Sequence, residues 1–177
     1  MTKVLAIDTS TSRTSVAIIE ADTVVFSGFL DGATAHGPSL PALVQEALAV
    51  SEVDEVVVGM GPGPFTGLRV GIAFAQSFAL AREIPVRGVC SLDAIAAQVA
   101  DQDFIITVDA RRKEVYWARY TDGVRVGEPA VNFPADVTGA TIHADLFPNM
   151  VALVNLSGNI IEPMYLRRPD AVATADR

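Results

Sequence analysis

Short apolar runs that end in polar or glycine-rich stretches set the rhythm of this chain. Val4 to Ile7 is an unbroken apolar run closed by Asp8 and a Thr/Ser stretch, the pattern of a buried strand leading into a turn. Thr14 to Glu20 and Thr23 to Phe29 are rich in β-branched and aromatic residues, and Glu20-Ala21-Asp22 joins them as a hairpin connection. The segment Asp31 to Pro38 reads as a loop. Ser39 then stands at the cap position of a helix whose apolar residues Leu40, Leu43, Val44, Ala47 and Leu48 share one helical face. Glu55 to Gly59 is the next buried strand, and Gly61-Pro62-Gly63-Pro64-Phe65-Thr66-Gly67 is a loop. Leu68 to Arg82 predicts a second helix, Pro85 to Val89 a strand, and Ser91 caps a third helix that runs to about Ala100.

The pattern then restarts. Phe104 to Val108 is again an apolar run closed by an acid, Asp109. Glu114 to Tyr120 and Val124 to Val126 follow as a second meander around Asp122-Gly123. Asp8 to Val16 and Asp109 to Trp117 have equal spacing, so the chain reads as two related halves with the second cut short. Strands alternating with helices after an opening meander imply an α/β layer structure with a mixed sheet. The expected division is an N-terminal lobe over 1–102, a shortened C-terminal lobe over 103–170, and a tail over 171–177 without core signal.

A length of 177 residues suits one domain, or two small ones sharing a core. No apolar run approaches the roughly 18 residues of a membrane span, and the opening residues lack the long apolar segment of a signal peptide. A single cysteine, Cys90, excludes an internal disulfide framework and a cysteine-based zinc cluster. The expectation is a soluble cytoplasmic protein. The net charge of −8 argues against this chain alone gripping a polyanion. Between Thr14 and Leu68 there is no Lys or Arg but seven acids, and Arg111-Arg112-Lys113 is the one dense basic cluster.

Three segments could carry chemistry. Asp8-Thr9-Ser10 ends a strand, where a carboxylate and hydroxyls either orient a metal-bound phosphate or cap a turn. The Gly61 to Gly67 loop leads into a helix N-terminus, and its Gly61 and Gly63 allow close approach of either an anion or a neighbouring backbone. It has no Walker lysine. The helix after it carries one charge, Arg69, in the fourteen residues from Leu68 to Ala81. A helix apolar nearly all round is either enclosed by its own chain or covered by a partner. His36 and His143 are too far apart for a helical ligand pair, Cys90 reads as a core thiol, and no catalytic or metal-binding residue is assigned.

Several blocks resemble the TsaB (YeaZ) family: Ala6-Ile7-Asp8-Thr9-Ser10-Thr11, Gly61-Pro62-Gly63-Pro64-Phe65-Thr66-Gly67-Leu68-Arg69-Val70-Gly71, Ser91-Leu92-Asp93-Ala94, Asp109 to Tyr116, and the closing Pro163-Met164-Tyr165-Leu166-Arg167. They occur in the family's order over nearly the whole chain. Pro64 stands where that family usually has Ser, which removes a hydroxyl and an amide donor from the loop.

The resemblance implies a duplicated ribonuclease H-like fold of the actin, Hsp70 and sugar-kinase superfamily, here with its second lobe truncated. It implies a non-catalytic subunit in the N6-threonylcarbamoyladenosine modification of tRNA, paired as a heterodimer with the transferase TsaD and joined by the ATPase TsaE. In that reading tRNA meets the chain only through the complex, ATP and magnesium belong to the complex rather than to this chain, and the isolated chain can form a homodimer. The expected partner surface comprises Leu40, Leu43, Leu68, Ile72, Ala75, Phe78 and Ala79, with Ala75→Arg expected to block pairing and spare the fold. The residues expected near any phosphate are Asp8, Thr9, Ser10, Gly61, Gly63 and Asp109. The rival is an independent ATP-using enzyme in which Asp8 and Asp109 orient a magnesium-bound phosphate between two lobes.

Overall fold

The apolar run at the start of the chain becomes the centre of a sheet. In the computed structural model, which describes residues 1–32 and 34–167, β1 (Lys3–Asp8) pairs antiparallel with β2 (Arg13–Glu20), and β2 with β3 (Thr23–Asp31). On its other side β1 pairs parallel with β4 (Glu55–Gly59), and β4 with β5 (Val86–Val89). The order is β3-β2-β1-β4-β5. The second half repeats it. Here β6 (Asp103–Asp109) lies between β7 (Val115–Thr121) and β9 (Thr141–His143), and β8 (Val124–Asn132) follows β7, giving β8-β7-β6-β9. β6 pairs antiparallel with β7 and parallel with β9, as β1 does with β2 and β4. The fold is thus the duplicated ribonuclease H-like one, with four strands in the second sheet among the described residues.

Alternation along the strands fixes what covers each face. Leu5, Ile7, Val16, Ile18, Val56 and Val58 point to α1 (His36–Val50) and α2 (Phe65–Arg82), which lie side by side on that face. Val4, Ala6, Ala17, Ile19, Val57 and Val89 point the other way, to Ala94 of α3 (Ser91–Ala96) and Leu153 of α4 (Met150–Asn155). Leu92, Ile95 and Ala96 of the same α3 fill the core of the second sheet with Phe104, Ile106, Val108, Ala118 and Tyr120. One six-residue helix therefore serves both sheets. A strap formed by 159–167 ties them again. The Ile160 amide donates to the Gly88 carbonyl (2.8 Å), the Met164 amide to Met60 (2.9 Å), and Arg167 Nη1 to Ala110 (3.0 Å).

Several boundaries move from their sequence expectation. α1 begins at His36, not Ser39, because Pro38 fits a first helical turn and Ser39 is buried within the helix. α2 begins at Phe65, and α3 stops at Ala96. The tail over 171–177 and the last residues of the 103–170 segment lie outside the described residues. No helix among the described residues is long and apolar enough to cross a membrane.

Candidate functional site

Asp8 ends β1 and is buried. Its Oδ1 accepts from the Ser10 amide (2.9 Å) and the Ser10 hydroxyl (2.7 Å), and its Oδ2 from the Ser91 hydroxyl (2.6 Å). Ser91 Oγ in turn accepts from the Gly61 amide (3.2 Å), so one carboxylate ties the end of β1 to the start of α3 and to the glycine loop. Thr9 Oγ1 donates to the Gly67 carbonyl (2.7 Å). The glycines are there for contact: a Cβ at Gly59 would overlap Asp8, at Gly63 the Ser10 backbone, and at Gly71 the Thr9 hydroxyl. Burial pushes the Asp8 carboxyl above its ordinary range, against the downward pull of the Ser91 and Ser10 hydrogen bonds.

The packing places five of the six residues expected near a phosphate in the interior. Asp8, Thr9, Ser10, Gly61 and Gly63 are all buried beneath the loop rather than open to a ligand. Asp109, at the equivalent end of β6, is exposed, and its Oδ1 accepts from the Arg111 amide (2.8 Å). It lines a cleft between the sheets with Thr11, Ser12, Pro64, Thr107, Asp145 and Phe147, which encloses about 80 Å³. At Thr11, Pro64 and Arg111 the cleft adjoins a wider basin of about 490 Å³ that Thr34, His36, Thr66 and Gly67 also line.

The residues expected at the partner surface also lie mostly in the interior. Leu40, Leu43, Leu68, Ile72, Ala75 and Ala79 are buried between their helices and the sheet, and Phe78 is half-buried and stacked on Phe74 (6.0 Å). A helix apolar on every side carries no sequence signal for which side faces in. The outer face of α2 is instead Arg69, Ala73, Gln76, Ser77 and Leu80, the last 81% exposed. Beside it α1 exposes Ala42, Gln45, Glu46, Ala49 and Val50. Two adjacent helices thus present a broad outer face on which Arg69 and Glu46 are the charges at these positions.

His36 is buried, with Nδ1 2.8 Å from the Thr14 hydroxyl; burial holds its pKa below the ordinary value. His143 pairs with Asp101 (2.9 Å). Among the described residues no group of three His, Cys, Asp or Glu could hold a metal ion. Cys90 is a core thiol whose pKa is pushed up to about 12, first by burial and then by the Asp93 charge. Iodoacetamide at neutral pH is expected to spare Cys90 in the native chain and to alkylate it after unfolding, which mass spectrometry reads directly.

The basic cluster forms the β6–β7 turn. Arg111, Arg112 and Lys113 have φ of 64°, 55° and 64°, a run of left-handed backbone without a glycine. Each such residue costs about 1–2 kcal/mol. Lys113→Gly is therefore expected to raise stability by up to about 1 kcal/mol, after the entropy that glycine adds to the unfolded chain. Urea unfolding of the two chains checks it.

The family model described as TsaD: tRNA N6-adenosine threonylcarbamoyltransferase matches residues 32–168. An uncharacterized protein of Mycobacterium tuberculosis is 45% identical over 197 aligned positions, covering 95% of this chain and 93% of that one. The tRNA threonylcarbamoyladenosine biosynthesis protein TsaB of Escherichia coli is 36% identical over 127 positions, which span 67% of this chain and 54% of TsaB. A crystal structure of a Pseudomonas aeruginosa protein with similarity to peptidase YEAZ superposes with a TM-score of 0.80 at 27% identity, over 94% of this chain and all of that one. The ethanolamine utilization protein EutJ of Carboxydothermus hydrogenoformans, at TM-score 0.51 and 11% identity over 72% of this chain and 50% of its own, shares the fold alone.

Proposed function

The chain belongs to the TsaD family, among its TsaB (YeaZ) members, and on that premise we propose that it acts in tRNA threonylcarbamoyladenosine biosynthesis as a subunit that docks and stabilises a TsaD-type transferase. The observation that carries this reading is the outer face of α1 and α2. Ala42, Ala49, Val50, Ala73, Ser77 and Leu80 all lie exposed there, and small or apolar side chains let a second pair of helices approach closely. The buried Asp8, whose two carboxylate oxygens accept from Ser10 and Ser91, supports a positioning subunit over an ATP-using enzyme. In this reading the transfer chemistry, the ATP and magnesium and a TsaE-type ATPase belong to the assembled complex. The test is nucleoside analysis of tRNA from cells depleted of this chain. Loss of threonylcarbamoyladenosine, restored by the wild-type chain and not by Ala73→Arg, is the expected result. Unchanged levels of the modified nucleoside would contradict it.

A further inference from the structure

The basic turn does not stand alone. Arg167 Nη1 donates to the Ala110 carbonyl (3.0 Å), immediately before Arg111, and the same guanidinium pairs with Glu114. Two residues back along the strap, Tyr165 packs on Phe65, with ring centroids 4.8 Å apart and planes at 43°. Phe65 opens α2, and Arg69, one turn on, lays its guanidinium over the Phe65 ring at 4.6 Å. Arg111 also borders the basin beside Pro64, Thr66 and Gly67, which brings the turn to the start of α2. These contacts bring Arg69, Arg111 and Arg167 to the start of α2, with Arg112 and Lys113 in the same turn as Arg111; together they are five of the chain's 13 Lys and Arg residues. The acids beside them are Asp109 and Glu114, which pair with Arg111 and Arg167, and Asp145, which lines the cleft with Arg111. The rest of a chain of net charge −8 is correspondingly more acidic.

We propose that this region is an RNA contact: the exposed Tyr165 ring, backed by Phe65, receives an unpaired base, and Arg111 and Lys113 hold the phosphates beside it. The inference rests on the tRNA-modification reading above and assigns the chain a direct part in binding the substrate. A basic turn by itself attracts any polyanion. The tilted aromatic pair, with Tyr165 still 37% exposed and a guanidinium on Phe65, is what points to bases, because single-stranded RNA is held by stacking on rings between phosphate contacts. An acidic peptide has no use for the rings. An anionic membrane calls for an inserted apolar helix face, and 65–69 supplies none. The acidic remainder repels RNA elsewhere, so the contact is oriented and weak until a partner adds its own.

The experiment titrates a fluorescent, unmodified tRNA transcript, across a range of KCl, into the chain alone and into its mixture with TsaD from the same organism. Polyglutamate serves as the charge control. Arg111→Glu with Lys113→Glu is expected to weaken transcript binding at least about tenfold and to flatten the salt dependence by about one phosphate contact or more. Tyr165→Ala is expected to weaken it about fivefold or more with the salt slope unchanged, and Tyr165→Phe to restore it. Lys113→Gly, which keeps the turn folded, should fall between wild type and the double variant. Unchanged affinity in the double variant and in Tyr165→Ala overturns the proposal, as does polyglutamate binding as tightly as the transcript. If chain and TsaD fail to associate, the docking reading falls instead, while the chain alone at low salt still reports on this region.

Discussion

Ala73→Arg is expected to weaken association with a TsaD-family partner at least about a hundredfold while changing stability by no more than about 0.5 kcal/mol. Ala73 lies on the exposed side of α2, between Arg69 and Ser77 on the same helical face, so its own fold has room for the longer side chain. In a complex the same guanidinium must be desolvated against an apolar partner. Ala75→Arg, two residues on, is expected to do something else. Ala75 is fully buried against the sheet, and an unpaired charge there costs more than about 4 kcal/mol, most of the stability of a chain at the lower end of the ordinary range of about 5–15 kcal/mol. Light scattering with the partner, and urea unfolding of each variant, separate the two effects. Equal loss of pairing and equal loss of fold in both variants would show that the assigned orientation of α2 is wrong.

Asp8→Ala is expected to cost about 3 kcal/mol, whereas Asp8→Asn is expected to leave the fold as stable as wild type or more so at neutral pH. Alanine orphans the Ser10 amide and both hydroxyls and leaves a hole below Gly59. Asparagine keeps an acceptor for Ser10 and offers Ser91 Oγ a donor, without a buried charge. Burial holds the Asp8 pKa above its unfolded value, so its contribution to stability is complete below the unfolded pKa and is lost as pH rises through the folded one. Wild type should therefore lose stability relative to Asp8→Asn as pH rises above the ordinary carboxylate range. A metal-binding or phosphate-orienting Asp8 would give the opposite ranking in function: Asn as damaging as Ala to ATP binding by the isolated chain, with little change in stability.

Much of the fold is legible where a strong period meets a strong stop. β1 and β4 follow from apolar runs closed by Asp8 and by the glycine loop, and the restart at Phe104 announces the second sheet. β9 and α4 escape the sequence because three residues, Thr141–His143, and six, Met150–Asn155, are too few to show a period. Asn149, whose Oδ1 accepts from the Ala152 amide (2.9 Å), is the one local signal α4 leaves. The site is harder to read. Six of the seven expected partner residues are apolar for the ordinary reason that they are core, since apolarity marks burial without saying whether it is by the same chain or another. The link from Asp8 to Ser91 spans 83 residues, and no local spacing encodes it. What the glycines at 59, 63 and 71 announce in sequence is close approach, and the structure shows that the approaching groups are Asp8, Ser10 and Thr9 rather than a ligand.

The central claim is that this chain works by docking a transferase through the outer face of α1 and α2. Its most direct test is the mass of the purified chain by light scattering, alone and mixed with TsaD from the same organism. A heterodimer that replaces the monomer or homodimer, and that fails to form with Ala73→Arg, is the expected result. Two species that stay separate at micromolar concentration would contradict it.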